Sequence, residues 1–330
     1  MPSSPPHSDS RVATLVVGKR APAGHRERQT ARTVTEDPKP RLDEARKKLS
    51  PAFRCVAVVI AEPTNELFEA WFFRELLTGI HDGLEEQSLL MSLITPNSSK
   101  EMELAQTYLV GGHVDGVIMA SLHGNDPLPR MLAEAHVPVV ICSRPPKGVP
   151  VSFVDTDNRQ AGQLAVEHLI SVGCRKIAMI SGNLDMPSSV DRVMGYHDAL
   201  SAAGIELDPT LEEIAYYKPE RTIMAMERLL INHRDLDGVF AASDNMAQAA
   251  MRVLQRSRKR VPEDVAVVGF DDTPLATECD PPLTSVRQPI EKLGREAVNV
   301  LMRAISDPSD TPAQVIFKAE LVTRGSTNRG

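Results

Sequence analysis

Between residues 55 and 322, short apolar runs alternate with longer stretches whose apolar residues recur every three or four positions, as expected of strands joined by crossover helices. The clearest unit is residues 235–272, DLDGVFAASDNMAQAAMRVLQRSRKRVPEDVAVVGFDD. Residues 238–242 and 265–270 are apolar without alternation, which predicts strands buried on both faces of a parallel sheet. Between them Ala247, Ala250, Met251 and Leu254 share one helical face, and Asp244 stands where a cap for the first turn belongs. Arg256, Arg258, Lys259 and Arg260 crowd the last turn, where cations suit the helix dipole, before Pro262 stops it. Ligands of open α/β sheets sit beyond the carboxyl ends of the strands, which here carry Ser243 with Asp244 and Asp271 with Asp272.

The same pattern occurs earlier. Residues 114–121 are VDGVIMAS and residues 236–243 are LDGVFAAS, and each is followed, after a helical stretch, by Val-x-Val-Val. A near-repeat half a chain apart predicts two lobes of one design, although two buried strands converging on similar words would give the same match. Further strands are expected at 55–60, 89–94, 116–120, 137–141, 151–154 and 176–181, with extended segments at 283–288 and 314–322. Helices are expected at 68–87, 99–110, 128–135, 159–172, 190–203, 220–232 and 290–305. The fold class is therefore α/β, with two doubly wound parallel-sheet lobes.

The first 40 residues break this pattern: they are rich in Pro, Ser, Arg and Thr and are expected to be largely disordered, with two helical turns at 41–49 ending at Pro51. Charge divides at the same place. Residues 1–54 hold 12 Lys or Arg against 6 Asp or Glu, whereas the rest carries 25 against 38 and repels nucleic acid. A chain of 330 residues with 42% hydrophobic content can bury two cores. No apolar run approaches the about 18 residues of a membrane span, and no signal sequence opens the chain, which predicts a cytoplasmic protein. Cys55, Cys142, Cys174 and Cys279 are too scattered for a disulfide framework or zinc site.

Motifs for catalysis are missing. There is no G-x-G-x-x-G, P-loop, H-E-x-x-H or G-x-S-x-G, so no enzyme activity and no cofactor or metal is expected. Asp155-Thr-Asp157-Asn158 opens like a calcium loop, but Gln160 occupies the position that needs glycine and Val166 the position that needs glutamate.

Several segments together resemble the lactose-repressor (LacI) family of sugar-responsive transcription regulators. They are VAVVIAEP at 56–63, Phe72 with Phe73, HVDGVIMAS at 113–121, VDTDNRQAGQLAVEHLISVGCRKIAMISG at 154–182, and RVMGY at 192–196. The Ser243-Asp244 helix start, RVPEDVAVVGFDD at 260–272 and PPLTSVRQP at 281–289 complete the set, which covers residues 55–326 in order. The resemblance implies a periplasmic-binding-protein-like core of type I, closing on a sugar, without chemistry and as a homodimer. Crossovers would fall near 154–158, 283–288 and 314–318, dividing the chain into lobes 55–156 plus 289–316 and 157–288 plus 317–330.

The resemblance also assigns effector-binding residues. Phe72 or Phe73 matches an aromatic that packs on effector rings, and Arg192 an arginine contacting hydroxyls, for which a guanidinium fork is suited. Asp271 matches the carboxylate that accepts from the sugar, while Asp272 shapes the turn. Tyr217 matches a stacking aromatic, with Tyr216 as the alternative register, and Ser121, Ser243 and Gln288 lie at corresponding strand ends. An oligosaccharide of the cello or malto type is the expected effector. One departure is large: family members open with a helix-turn-helix of the form D-V-A-x-x-A-G-V-S, and residues 1–54 contain none. The expected reader of operator DNA is therefore lost or misread, as a frameshift in a GC-rich gene would produce. A sugar-binding protein without DNA activity and an enzyme on a doubly wound fold are the competing readings.

Overall fold

The computed structural model describes residues 55–307, 309 and 311–329, so the expectations for residues 1–54 lie outside the described residues. One sheet contains β1 (Cys55–Ile60), β2 (Leu90–Ile94), β3 (Gly116–Ala120), β4 (Val139–Cys142), β5 (Ser152–Thr156) and β11 (Gln314–Phe317). Its order is β11-β5-β4-β3-β1-β2, all parallel. The second contains β6 (Ile177–Ser181), β7 (Glu212–Ile214), β8 (Gly238–Ala241), β9 (Ala266–Asp271), β10 (Thr284–Arg287) and β12 (Glu320–Val322). Its order is β12-β10-β9-β8-β6-β7, parallel except for β12 against β10. The two orders correspond strand for strand, so both lobes follow one design.

The Asp-Gly-Val repeat has a mechanical reason. Asp115, just before β3, accepts the N–H of Cys55 at 2.8 Å and pins the start of β1. Asp237, just before β8, accepts the N–H groups of Arg175 and Lys176, each at 2.8 Å, and pins the start of β6. Each aspartate thus sets the register of its strand against the neighbouring strand. Convergence on apolar composition alone does not require this.

Strand residues alternate between two cores in the first lobe. Val56, Val58 and Ile60 pack with α2 (Trp71–Glu86) and α10 (Ile290–Ser306), while Ala57 and Val59 face α3 (Ser99–Val110) and α4 (Leu128–Glu134). In the second lobe α5 (Asn158–Ser171) and α6 (Pro187–Ala202) run so close that a Cβ at Gly195 would lie 2.1 Å from the Arg159 carbonyl oxygen, and one at Gly162 would lie 2.5 Å from that of Arg192. Only glycine permits this approach, and it holds Arg192 beside the start of α5. The opposite face carries α7 (Pro219–Asn232) and α8 (Asp244–Arg256).

Three expected elements differ. The helix expected at 68–87 is broken at Ala70, whose ψ is 120°, into α1 (Thr64–Glu69) and α2. Leu67 lies nine residues before Leu76, half a turn out of phase at about 100° per residue, so one straight helix cannot bury both. The extended segment at 314–322 divides at Lys318 and Ala319, giving one strand to each sheet. The helix expected from 190 starts at Pro187, where its missing N–H costs nothing. Two short elements, β7 and α9 (Pro274–Glu278), were not expected.

Candidate functional site

The carboxyl ends of the two sheets face one another, because the ion pairs that cross between lobes all join segments following those ends. Lys218 pairs with Glu66, His123 Nδ1 lies 3.0 Å from Asp185 Oδ1, and Arg144 Nη2 lies 3.2 Å from Asp191 Oδ2. The wall of the second lobe is built around Arg192, which is only 5% exposed. Its Nε donates to Asn158 Oδ1 at 2.9 Å and its Nη1 to the Ala242 carbonyl at 2.8 Å, while its guanidinium lies 3.6 Å from the centre of the Phe270 ring. Two of five donors are committed within the lobe, which fixes the plane of the fork. Asn158 in turn donates to Asp155 Oδ1 at 3.1 Å, joining Arg192 to the carboxyl end of β5. Burial pushes the Asp155 carboxyl up to about 7.

Asp271 ends β9 with φ 96° and is followed by Asp272 with φ 52°, two successive non-glycine residues in the left-handed region. Each costs about 1–3 kcal/mol, so the conformation persists only if surrounding contacts hold it. They do: Gln288 Nε2 donates to Asp271 Oδ1 at 2.7 Å, while the Asp272 carboxylate pairs with Arg287 and Arg324, both at 2.7 Å. The Asp271 carboxylate so held lies within the electrostatic reach of Arg192. Burial raises its affinity for a proton, and Arg192 and Gln288 oppose that shift.

The expected cap is displaced by one residue. Ser243, in the extended conformation of an N-cap, accepts the Met246 N–H at 3.4 Å. Asp244 is already helical, so its fully buried side chain turns toward β9 and accepts the Thr273 N–H and the Ser285 hydroxyl, each at 2.6 Å. Burial, helped by Asp271, pushes its carboxyl up to about 7. A Cβ at Gly269 would lie 2.5 Å from Asp244 Oδ1, so glycine in the Val-Gly-Phe-Asp run makes room for this acid.

The tyrosine register is distinguished by packing. Tyr217 lies against the backbone beyond β6, where a Cβ at Gly182 would come within 2.1 Å of its ring, and it shares a hydrogen bond of 2.8 Å with Ser189. Tyr216 instead points outward, with the Arg221 guanidinium 4.6 Å from its ring centre.

On the first lobe, Ser121 follows β3 with φ 57° and donates to Glu62. His123 Nε2 lies 2.9 Å from the same Glu62 oxygen, bordering an open pocket of about 610 Å³. The Glu62 hydrogen bond, then that of Asp185, outweighs burial and raises His123 to about 9. Burial alone would raise Glu62, but bonds from His123 and Ser121 hold it below the ordinary carboxylate range. Phe73 is part of the core under α10, with Phe72 half-buried against that core, their rings 5.5 Å apart and edge to face. Arg192, Asp271 and Gln288 therefore converge with Tyr217 nearby, Ser121 faces Glu62, Ser243 caps α8, and Phe73 belongs to packing.

Several site residues escape sequence reasoning. Glu62, His123 and Asp185 are ordinary polar residues whose importance comes from neighbours distant in sequence, and Asp155 with Asn158 stood out only as the opening of a failed calcium loop. Trp71, the lone tryptophan, opens α2 after the break at Ala70. It is half-buried, with Arg74 5.1 Å from its ring centre.

The HTH-type transcriptional regulator CelR of Thermobifida fusca is 44% identical over 274 residues, covering 82% of this chain and 80% of that protein. The chain belongs to the LacI family of transcriptional regulators. The family model described as periplasmic binding protein-like domain matches residues 166–327 of this LacI-family regulator. HTH-type transcriptional regulator MalR of Streptomyces coelicolor is 33% identical over 284 residues, covering 82% of the regulator and 80% of MalR. A solved CelR–cellobiose complex matches with a TM-score of 0.79 and 42% identity, over 89% of this chain and 92% of that one. A LacI regulator from Bacillus cereus subsp. cytotoxis matches with a TM-score of 0.78 and 26% identity, over 83% and 98%. Among the described residues no helix is long and apolar enough to cross a membrane.

Proposed function

We propose that this LacI-family regulator responds to a β-linked glucose oligosaccharide, cellobiose or a longer cello-oligosaccharide, bound between its lobes. The observation that carries this reading is the Arg192 fork, locked by Asn158, Ala242 and Phe270 beside the Asp271 carboxylate. A sugar's vicinal hydroxyls both donate and accept, so a rigid donor fork next to a carboxylate acceptor suits them, and Tyr217 supplies a ring for a sugar face. The 42% identity to a CelR–cellobiose complex supports the cello series, ahead of the malto series suggested by MalR. A glycosidase reading fits poorly, because both oxygens of Asp244 already accept hydrogen bonds and Asp185 is paired with His123.

The lobes we infer are 55–156 with 289–316 and 157–288 with 317–330, with closure about the crossovers. The functional unit we infer is a homodimer, for which exposed Leu90 on the edge strand β2 and exposed Leu104 on α3 offer apolar surface. Light scattering that returns a monomer mass would refute that part. Operator DNA is the second partner expected of the family, but residues 1–54 hold no D-V-A-x-x-A-G-V-S segment to read it.

The effector reading is tested by calorimetry against cellobiose, cellotriose, maltose and nucleobases. Cellobiose or cellotriose is expected to bind most tightly. Removing one member of a buried hydrogen-bonded charged set costs about 2–5 kcal/mol, so Arg192→Ala and Asp271→Ala are each expected to weaken binding at least about tenfold, with the melting transition retained. Binding of nucleobases without any saccharide would overturn the proposal.

A further inference from the structure

Of the cross-lobe ion pairs, one is chained to the first-lobe wall. Ser121 donates to Glu62, Glu62 faces His123 Nε2 at 2.9 Å, and His123 Nδ1 faces Asp185 Oδ1 at 3.0 Å across the lobes. A neutral imidazole has one N–H, so a ring with a carboxylate at each nitrogen makes both bonds only as the imidazolium. The Gly124 N–H adds a second cross-lobe bond, to the Asp185 carbonyl at 3.0 Å. Separating the lobes breaks both bonds to Asp185, whereas Glu62 and His123 part company with nothing in their own lobe.

We propose that His123, oriented by Glu62, is a positioning residue that clasps the second lobe through Asp185 and thereby slows release of the bound effector. The proposal rests on the effector reading above. The charged groups around the ring are Glu62 from the segment after β1 and Asp185 from the segment after β6, with Lys218 acting on Glu62. Closure adds Asp185 to the ring's partners, so the closed state holds the proton more tightly than the open state. Closure is therefore favoured at neutral pH and loses this contribution as pH rises through about 9.

Cellobiose affinity and release rate are measured on the full chain at pH 7 and at about pH 9.5. Partly exposed pairs contribute little individually, so Asp185→Asn and His123→Gln are each expected to weaken binding about two- to fivefold at pH 7, mainly through faster release. The double variant should be no weaker than either single one. The native chain should lose a similar factor at the alkaline pH, and the two variants should not. Asp185→Glu should restore that alkaline loss, and Glu66→Gln, which removes the Lys218 pair, should keep it. Small-angle X-ray scattering without sugar should give Asp185→Asn a larger radius of gyration than the native chain. Variants with the native pH profile would overturn the clasp. If the native chain binds no cellobiose, the effector assignment fails separately and scattering decides, with unchanged radii overturning the clasp.

Discussion

At the scale of single residues, two small groups set the geometry of the site. Gly195 lets α6 approach α5 until Arg192 meets Asn158, and a methyl group there would lie 2.1 Å from the Arg159 carbonyl oxygen. Overpacking of this kind costs about 1–3 kcal/mol, so Gly195→Ala should lower the melting temperature and weaken sugar binding together. Asp244 acts through its proton. Its folded carboxyl titrates at about 7, whereas an unperturbed aspartate titrates near about 3.9. The folded state thus binds more protons between these values, and this group's contribution to stability is full below them and falls as pH rises to about 7. Asp244→Asn can still accept from Thr273 and donate to Ser285. It should therefore melt higher than the native chain at about pH 8 and show a flatter pH dependence in calorimetric scans. Neither role was legible in sequence: Asp244 looked like a cap because helix starts favour aspartate, and its partners lie 29 and 41 residues away.

At the scale of elements, the near-repeat was the most informative signal, and its aspartates explain why. Asp237 satisfies two backbone N–H groups at the start of β6, and leaving such donors unpaired costs about 1–3 kcal/mol. Asp237→Ala is expected to destabilise the protein by about that amount in urea unfolding, and more than Asp115→Ala, which frees one such donor. Periodicity located the long helices because their apolar stripes run unbroken. It missed the break at Ala70, where only the half-turn phase difference between Leu67 and Leu76 gives the kink away. It also merged β11 with β12, since a continuous extended word does not say which sheet its halves join. The three-residue β7, with two glutamates, carries too little pattern to be recognised.

At the scale of the whole molecule, the two-lobed architecture was legible because each lobe repeats the grammar of the other, and the placement of Arg192, Asp271 and Gln288 near one another was expected from their motifs. The cross-lobe residues were not, since His123 and Asp185 meet only when two separately folded walls are brought face to face. Residues 1–54 hold an excess of cations but no D-V-A-x-x-A-G-V-S, and base edges are read from an ordered element in a groove. The chain with this N-terminal sequence should retain only salt-sensitive, sequence-indifferent DNA affinity in gel shifts; a selective complex released by sugar would show otherwise. The strands β11 and β12 close the two sheets from opposite sides of a two-residue link, and α10 covers the first sheet's core only after residue 290. During synthesis the first lobe must therefore wait, with Val56, Val58 and Leu76 uncovered, until almost the whole polypeptide has left the ribosome. Although it begins first, that lobe cannot finish until the second has been made through β10, and a ribosome stalled before residue 290 would hold an apolar surface that invites chaperones or aggregation.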